Sequence, residues 1–346
     1  MVFELDRDAL VEDFRRLVEV PSPVGYDREL KPVLEKMAEE LGHSLRYDNK
    51  GTAYLTLEGK DNSKTVMIGA HVDTLGLTVR GLEASGLLRV SRLGGGCVPS
   101  LEGESVTVHT RDGRRYTGLV ICRSHSVHVF DDAHTLERNE SNIRVLLDED
   151  VSSKEELVAL GIRNGDVISI DPHFELTEGG YIKSRFIDDK GCVACCFAAL
   201  RWLKENGARP RYKTVFAFPY YEEIGLGGVF VPEGVSEYVA VDIGLIGPEL
   251  DGNERSVSIC AKDARFPYDY ALTSRLIEYA ERAGCRYAVD VYPRYSSDAH
   301  AAVSGGNDLR AAVFGMGVYC THGRERSHVE GFENTARLLL AYVLGL

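Results

Sequence analysis

The chain has 346 residues, of which 44% are hydrophobic and 27% are charged. This composition is typical of a globular protein, so it excludes a wholly disordered or fibrous chain, and the length suggests about two domains. The formal net charge of -13 at pH 7 argues against nucleic-acid and anionic-membrane partners, because such a surface repels phosphate groups. The longest apolar run falls well short of the ~20 residues that a membrane span needs.

The N-terminal segment has no basic stretch followed by an apolar core, so we expect no secretory signal and a cytoplasmic location. The 8 cysteines are scattered, and most lie in apolar stretches, which favours buried reduced thiols. Cys192 and Cys195 have the spacing of redox and zinc motifs. Because they lie beside Cys196 in an apolar helical stretch without a second such pair, we interpret them as core residues.

Two amphipathic helices are predicted at the start of the chain, over about residues 6–20 and then from Leu30 to Leu41. Strand patterns follow at Ala53–Leu57 and Val66–Ala70. The second strand is apolar throughout, which is typical of a strand covered on both faces of its sheet. The chain therefore begins with the elements of an α/β fold.

The pattern changes to short strands separated by glycine and polar turns over residues 76–178. A short helix with Ser152 as N-cap and Glu155 three residues later interrupts these strands. Alternating helices and strands then return: helices over 189–206, 270–283 and 332–344, and strands Thr214–Phe218, Tyr238–Val241 and Leu309–Phe314. We therefore predict one α/β domain from residues 1–75 and 179–346, with residues 76–178 as an inserted β-rich domain.

Histidines and carboxylates follow several predicted strands of the α/β domain, and others begin a predicted helix. These residues are His71, Asp73, Asp188, Asp189, Glu222, Glu223, Asp242 and His322. Each has an ordinary structural interpretation when taken alone; an aspartate pair, for example, often caps a helix. Together they place two histidines and several carboxylates at one edge of one sheet, where ligands collect in α/β folds. Such a mixed set suits zinc, cobalt or manganese, and it is large enough for two ions.

Five motifs in order resemble those of the tetrahedral aminopeptidases, also called glutamyl or deblocking aminopeptidases, a family of cocatalytic zinc metallopeptidases. The motifs are Val20-Pro21-Ser22-Pro23-Val24-Gly25-Tyr26, Ala70-His71-Val72-Asp73-Thr74-Leu75-Gly76, Ile162-Arg163-Asn164-Gly165-Asp166, Ile187-Asp188-Asp189-Lys190-Gly191 and Glu222-Glu223-Ile224-Gly225-Leu226-Gly227-Gly228. The resemblance implies a three-layer catalytic domain like that of the zinc exopeptidases. It also implies that the small inserted domain is barrel-like and serves dimerisation.

The resemblance further implies two divalent ions per chain, zinc, cobalt or manganese, with these ligands: His71, Asp188, Glu223, Asp242 and His322. In that assignment Asp188 bridges the ions, Glu222 is the general base, Asp73 orients the site, and Asp189 has no assigned role. The implied activity is hydrolysis of the N-terminal peptide bond by a water that bridges the ions. The implied partners are a peptide or small amide substrate and further copies of the chain, from a homodimer to a dodecamer.

Two alternatives to an aminopeptidase remain open: a deacylase or dipeptide hydrolase acting on a small N-acylated metabolite, and an inactive oligomeric scaffold.

The chain differs from the family in the last of the family's motifs, where it reads Tyr319-Cys320-Thr321-His322-Gly323. An ungapped alignment places His322 at the ligand position at the end of the last strand and leaves His328 as an extra histidine. A loop with three further histidines and two aspartates is a polar loop or a second metal site, and we favour the first; these residues are His125, His128, Asp131, Asp132 and His134.

Overall fold

The computed structural model describes residues 3–346. Its helices are α1 Arg7–Val18, α2 Leu30–Glu40, α3 Lys154–Ala159, α4 Ile187–Glu205, α5 Tyr270–Ala283, α6 Asp298–Ser304 and α7 Val329–Leu344. Its strands are β1 Arg46–Tyr47, β2 Ala53–Leu57, β3 Asp61–Gly69, β4 Gly76–Leu82, β5 Leu88–Leu93, β6 Ser105–His109, β7 Arg115–Cys122, β8 Ile143–Leu147, β9 Val167–Ile170, β10 Glu175–Leu176, β11 Tyr181–Ser184, β12 Tyr212–Phe218, β13 Val235–Val241, β14 Gly244–Leu245, β15 Val257–Lys262, β16 Tyr287–Val291, β17 Arg310–Val318 and β18 Glu325–His328.

The chain divides into two compact units. The first comprises the chain up to Asp73 together with His173–Leu346, and the second is Thr74–Pro172. Residues 173–178, which the sequence prediction placed in the insert, fall in the first unit. The reason is local pairing, because β10 forms a small three-stranded sheet with β11 and β18 of that unit.

A nine-stranded sheet forms the centre of the first unit, with the order β1-β2-β12-β3-β13-β17-β15-β16 and with β14 paired to β17. Strands β12, β3, β13 and β17 are parallel to one another. Their carboxyl ends therefore meet at one edge of the sheet. The last four residues of β3, Val66–Gly69, are all buried, as expected for a strand covered on both faces.

Helices cover both faces of this sheet. On one face, Ala299 and Ala302 of α6 pack in a cluster with Tyr238 of β13. On the other face, the Phe197 ring of α4 stacks on Phe218 of β12, with ring centroids 5.5 Å apart. The predicted three-layer α/β arrangement is therefore confirmed.

The helix boundaries differ in detail from the prediction. Ser153, and not Ser152, caps α3, because the Ser153 side chain accepts a hydrogen bond from the Glu156 backbone. The last helix begins at Val329, three residues before the predicted start, because His328 caps it. Among residues 3–346 there is no helix with both the length and the apolar character needed to cross a membrane.

The second unit contains a closed barrel with the strand order β4-β5-β8-β7-β6-β9. All its strand pairs are antiparallel. Val79, Val106 and Val120 are buried. Leu119 of β7 lies directly opposite Leu146 of β8, and both side chains are exposed. The barrel thus confirms the predicted β-rich insert and carries an apolar pair on its outer surface.

Candidate metal centre

The residues predicted for the site follow the ends of the parallel strands. His71 and Asp73 follow β3, Glu222 and Glu223 follow β12, and Asp242 directly follows β13. Because these strands run in one direction, their ends bring the three segments to the same edge of the sheet. The fold therefore gathers residues that are far apart in the sequence.

His71 is buried and faces carboxylates with one ring nitrogen. Its Nε2 lies 3.1 Å from Asp188 Oδ1 and 3.6 Å from Glu222 Oε2. Its Nδ1 lies 3.0 Å from the backbone carbonyl of Asp73, which can only accept, so Nδ1 carries the proton. Burial lowers the pKa of His71, but Glu222 and Asp188 outweigh it and raise this pKa above its ordinary value. The arrangement directs Nε2 at the cluster, as metal-binding histidines do.

Asp73 holds the segment that carries the two glutamates. Its carboxylate accepts hydrogen bonds from the backbone N–H groups of Glu222 and Glu223, each at 3.1 Å. These residues begin a short 3-10 turn, Glu222–Ile224, whose first N–H groups have no partner within the turn. Asp73 is fully buried. It therefore positions the turn through its backbone.

Asp188 lies between two histidines. Its Oδ1 faces His71, and its Oδ2 lies 3.6 Å from His322 Nε2. The same Nε2 of His322 lies 3.5 Å from Glu223 Oε2. Asp188 and Asp189, joined by a cis peptide bond, interrupt the helical backbone at the start of α4. One carboxylate thus presents a separate oxygen to each histidine.

Two overlapping groups among residues 3–346 bring three ligand atoms within 4.8 Å of one another: His71, Asp188 and Glu223, and His71, Asp189 and Asp242. Asp189 was given no role by sequence reasoning. Its Oδ2 accepts a hydrogen bond from the His71 backbone at 3.1 Å. Its Oδ1 is buried without a hydrogen-bond partner.

The positive charge around the carboxylates of the cluster is too small to balance their negative charge. Burial and the neighbouring Asp188 raise the pKa of Glu223 to about 8 and that of Asp242 to about 7. Burial also raises the pKa of Glu222 well above its ordinary value. Among the described residues, no lysine or arginine lies within ion-pair distance of these three side chains. Divalent cations would supply the missing charge, so the imidazole and carboxylate donors fit such ions.

A cavity of about 380 Å³ opens over the cluster. Its lining includes four carboxylates, those of Asp188, Glu222, Glu223 and Asp242. The remaining lining residues are Gly225, Ile243, Leu245, Arg294, Tyr295, Ser296, Thr321 and His322. A small substrate can therefore reach the carboxylates from a pocket that is partly apolar.

Residues 51–338 match the family model described as M42 glutamyl aminopeptidase. The chain belongs to the M42 glutamyl aminopeptidase family. Its members are metal-dependent hydrolases, so the protein is an enzyme of this class. The resemblance inferred from the five sequence motifs is confirmed.

Relatives of this M42 chain match it over nearly all or over about two thirds of its length. The Bacillus subtilis protein named "Putative aminopeptidase YhfE" is 40% identical over 334 residues, which span 96% of each chain. The lysyl aminopeptidase of Pyrococcus furiosus is 25% identical over 221 residues, which span 64% of this chain and 61% of the relative.

Solved structures show the same fold. An aminopeptidase from the archaeon Desulfurococcus kamchatkensis superposes with a TM-score of 0.88 at 22% identity, over 98% of this chain and 96% of its own. The TET1 peptidase of Pyrococcus horikoshii superposes with a TM-score of 0.82 at 23% identity, over 97% of this chain and 100% of its own.

Glu325 is a residue of this M42 site that sequence reasoning missed. Its buried carboxylate accepts hydrogen bonds from the Asp188 backbone at 3.0 Å and from the His322 backbone at 3.1 Å. The surrounding run Arg324-Glu325-Arg326 resembles a solvated charged turn. The run instead enters β18, a strand of four residues, which is too short for its pattern to be recognised in the sequence.

Asp298 is the second missed residue. It is buried, and its Oδ1 accepts a hydrogen bond from the Gly228 backbone at 2.6 Å, while its Oδ2 has no hydrogen-bond partner. Burial raises its pKa to about 7. A Cβ at Gly227 would lie 2.5 Å from Asp298 Oδ1, so the close approach requires glycine. Asp298 therefore holds the end of the segment that carries Glu222.

The two C-terminal histidines occupy different surroundings. Strand β17 ends at Val318, so His322 lies in a turn with a positive φ of 63° and does not directly end the strand, contrary to the prediction. The Glu325 carboxylate holds this turn. His328 accepts a hydrogen bond from the Glu330 backbone through Nδ1 and donates to the Gly179 carbonyl through Nε2.

The histidine-rich loop of the second unit consists mostly of turns. The His125 ring packs edge-on against Phe130, with centroids 5.1 Å apart. Neither group of potential metal ligands in residues 3–346 includes a histidine of this loop. Cys192, Cys195 and Cys196 are buried in α4, and each is a free thiol in the core.

Proposed function

We propose that the protein is an aminopeptidase with two divalent ions, zinc, cobalt or manganese, held by His71, Asp188, Glu223, Asp242 and His322. The observation that carries the proposal is Asp188, which presents one oxygen towards His71 and the other towards His322. A carboxylate with this placement suits a bridge between two ions. When bound, the ions supply the positive charge that acidifies a water and polarises the scissile carbonyl.

Glu222 is the general base in this proposal. Its carboxylate lies in the cavity wall, and its backbone is fixed by Asp73. Glu222 lies 3.6 Å from His71 Nε2, so its carboxylate is close to a proposed ligand and can reach a water held there. Glu222 takes the proton of the attacking water and then delivers it to the leaving amine. Asp73 acts through the backbone and does not touch the substrate.

The charge of the cavity supports an unblocked N-terminus as the group that is bound. The α-amino group of a free peptide is a cation, whereas an N-acylated amine is neutral. Glu222 lines the cavity and is not among the proposed metal ligands, so its carboxylate favours the cation by charge complementarity. We therefore place an aminopeptidase ahead of a deacylase of N-acylated metabolites.

A peptide panel tests this proposal. Protein loaded with zinc, cobalt or manganese is incubated with free dipeptides and with their N-acetylated forms, and released amino acids are measured by chromatography. We expect release from the free peptides only, and no release by the Glu222→Gln protein under the same conditions. Release only from the acetylated peptides would establish the deacylase instead.

The bridging role of Asp188 has a separate test. After dialysis, metal content should fall further in Asp188→Asn than in His322→Ala, because Asp188 neutralises two ions at once. Elemental analysis per chain is the measurement, and Asn is nearly isosteric with Asp. Two ions per chain in Asp188→Asn would rule out the bridge.

We further propose that copies of the chain associate through the barrel. The Pyrococcus horikoshii relative is described as assembling into a tetrahedron or an octahedral shell. The exposed pair of Leu119 and Leu146 supplies an apolar contact on the second unit. Leu146→Asp should give a smaller particle in light scattering, whereas Val291→Asp, a change at an exposed position of β16, should not. The opposite result would place the interface on the first unit.

A further inference from the structure

The proposed metal ligands differ in how firmly hydrogen bonds hold them. Asp73 and Glu325 accept hydrogen bonds from the ring or the backbone of the other four ligands. The Asp242 backbone N–H donates to the Phe314 carbonyl at 3.0 Å, but among residues 3–346 no donor forms a hydrogen bond with the Asp242 carboxylate. Carboxylates that bind metal ions usually accept a hydrogen bond as well. Asp242 therefore lacks a partner that such a ligand normally has.

Tyr295 carries a hydroxyl that also lacks a partner. This residue lines the same cavity as Asp242, and its hydroxyl oxygen is buried without a hydrogen bond to any described residue. The Tyr295 ring packs edge-on against Tyr292, with ring centroids 5.2 Å apart, and its backbone carbonyl accepts a hydrogen bond from Ala264 at 3.1 Å. A buried donor without a partner costs free energy, so its placement beside the cluster favours a role in the site.

The Tyr295 hydroxyl and the Asp242 carboxylate are close enough to influence each other. Burial and Asp188 raise the pKa of Asp242, whereas His71 and the Tyr295 hydroxyl lower it. A hydroxyl has this effect on a carboxyl group when it can donate a hydrogen bond to the ionised form. Because the ordinary pKa of a tyrosine hydroxyl is about 10, such a group keeps its proton at neutral pH and can act as the donor.

We propose that Tyr295 is a positioning residue for Asp242, and that its hydroxyl donates to one carboxylate oxygen while the other oxygen binds an ion. The two interactions do not compete, because a carboxylate has acceptor sites on both oxygens. The hydrogen bond limits the rotation of the carboxylate away from the ion. This inference rests on the ligand set of the proposed function, and it adds a residue that acts on the ion only through Asp242.

Metal titration of Tyr295→Phe tests the inference. Protein freed of metal is titrated with zinc in competition with a chromophoric chelator, and parallel samples receive cobalt, whose visible absorption spectrum reports the geometry of its ligands. We expect the affinity for one ion to fall about 10–100-fold and the cobalt spectrum to change, as for the loss of a hydrogen bond to a ligand.

The matched control for this titration is Tyr292→Phe. This change removes a neighbouring buried hydroxyl that also has no partner among the described residues, from a ring that does not line the cavity. Zinc affinity and the cobalt spectrum should stay at their wild-type values. Both variants keep an aromatic ring and lose an unpaired hydroxyl, so both should fold, and the melting temperature of the metal-free proteins checks this.

A double-mutant cycle with Asp242→Ala separates the positioning role from a general effect on the site. Because Tyr295 acts through Asp242, Tyr295→Phe should not weaken zinc binding further when Asp242 is already alanine. Equal losses of affinity in both backgrounds, or a Tyr295→Phe protein with unchanged affinity and spectrum, would overturn the inference. A wild type with fewer than two ions, or an Asp242→Ala protein with wild-type affinity, would instead refute the ligand set of the proposed function.

Discussion

The two ends of β13 hold buried carboxylates in opposite electrostatic situations. Glu237, near the start of the strand, lies 2.7 Å from both Lys64 Nζ and an Arg275 guanidinium nitrogen and accepts a hydrogen bond from the Tyr342 hydroxyl. Burial raises the pKa of Glu237, but Lys64 and Arg275 outweigh burial and lower it. Asp242 lies just past the other end. Within residues 3–346 no lysine or arginine is within ion-pair distance of its carboxylate, and burial raises its pKa to about 7.

The contrast shows what this fold does with a buried charge. At the amino end of the strand the chain provides its own cations, and the carboxylate contributes to stability. At the carboxyl end, no lysine or arginine of the described residues neutralises Asp242, so a bound cation has to supply the positive charge. Unpaired buried carboxylates are costly, so their concentration at one edge indicates a functional site rather than a structural one.

The largest effect is expected from Glu222→Gln, just past the carboxyl end of β12, which lies two strands from β13 in the sheet. Gln cannot accept a proton, so kcat should fall about 10²–10⁴-fold while metal content and the melting temperature stay near wild-type values. Steady-state kinetics with elemental analysis of the same samples is the measurement. A near-normal kcat with full metal content would show that another residue is the general base.

His322 and His328 offer a second comparison, between a proposed metal ligand and a histidine that caps a helix. His322→Ala should lose one ion and nearly all activity, because His322 faces Asp188 and Glu223. His328→Ala should keep both ions and lose only about 1 kcal/mol of stability with its helix cap. Metal content per chain decides between them, and the reverse pattern would identify His328 as the ligand.

Glu237→Gln tests the amino end of β13. It should lower the free energy of unfolding by about 2–3 kcal/mol, because Lys64 and Arg275 lose their partner but remain partly exposed. kcat should be unchanged. Since folding lowers the pKa of Glu237, its stabilisation is present above about pH 4.3 and is lost as the pH falls through the folded value. Denaturant titrations from pH 3 to 7 should therefore show a weaker pH dependence in the variant than in the wild type.

Asp242→Asn should act in the opposite direction, with a smaller effect than Glu237→Gln. In protein treated with a chelator, removal of an unpaired buried charge should raise the free energy of unfolding by about 1–2 kcal/mol. Added zinc should then stabilise the variant less than the wild type. Thermal unfolding with and without zinc measures both. A destabilised metal-free variant would mean that Asp242 has a structural partner and that the two ends of β13 are alike.

Much of this arrangement follows from local sequence patterns. The apolar run Val66–Ala70 identifies a central strand, and a histidine or acid directly after such a strand lies at the sheet edge. Asp242 and His71 could be placed in this way. The alternation of short strands and turns likewise predicts a β-rich insert, although closure into a barrel depends on pairing between distant strands.

The residues that support the site could not be predicted in the same way. Asp298 begins a seven-residue helix, where an aspartate is ordinary, and its role arises only because the distant Gly228 lies against it. Strand β18 has four residues, too few for a reliable pattern, so Glu325 appeared to belong to a charged turn. Both residues act through contacts between segments that are far apart in the sequence. The periodicity of hydrophobic residues within one segment does not reveal such contacts.

The carboxylate of Glu325 prepares part of the proposed metal site before an ion binds. By accepting hydrogen bonds from both the Asp188 and the His322 backbones, it fixes to each other the two segments that carry these proposed ligands. Their loss of conformational freedom is then incurred during folding and does not weaken the later capture of ions. Replacement of one divalent ion by another should therefore require little rearrangement of the backbone at Asp188 and His322.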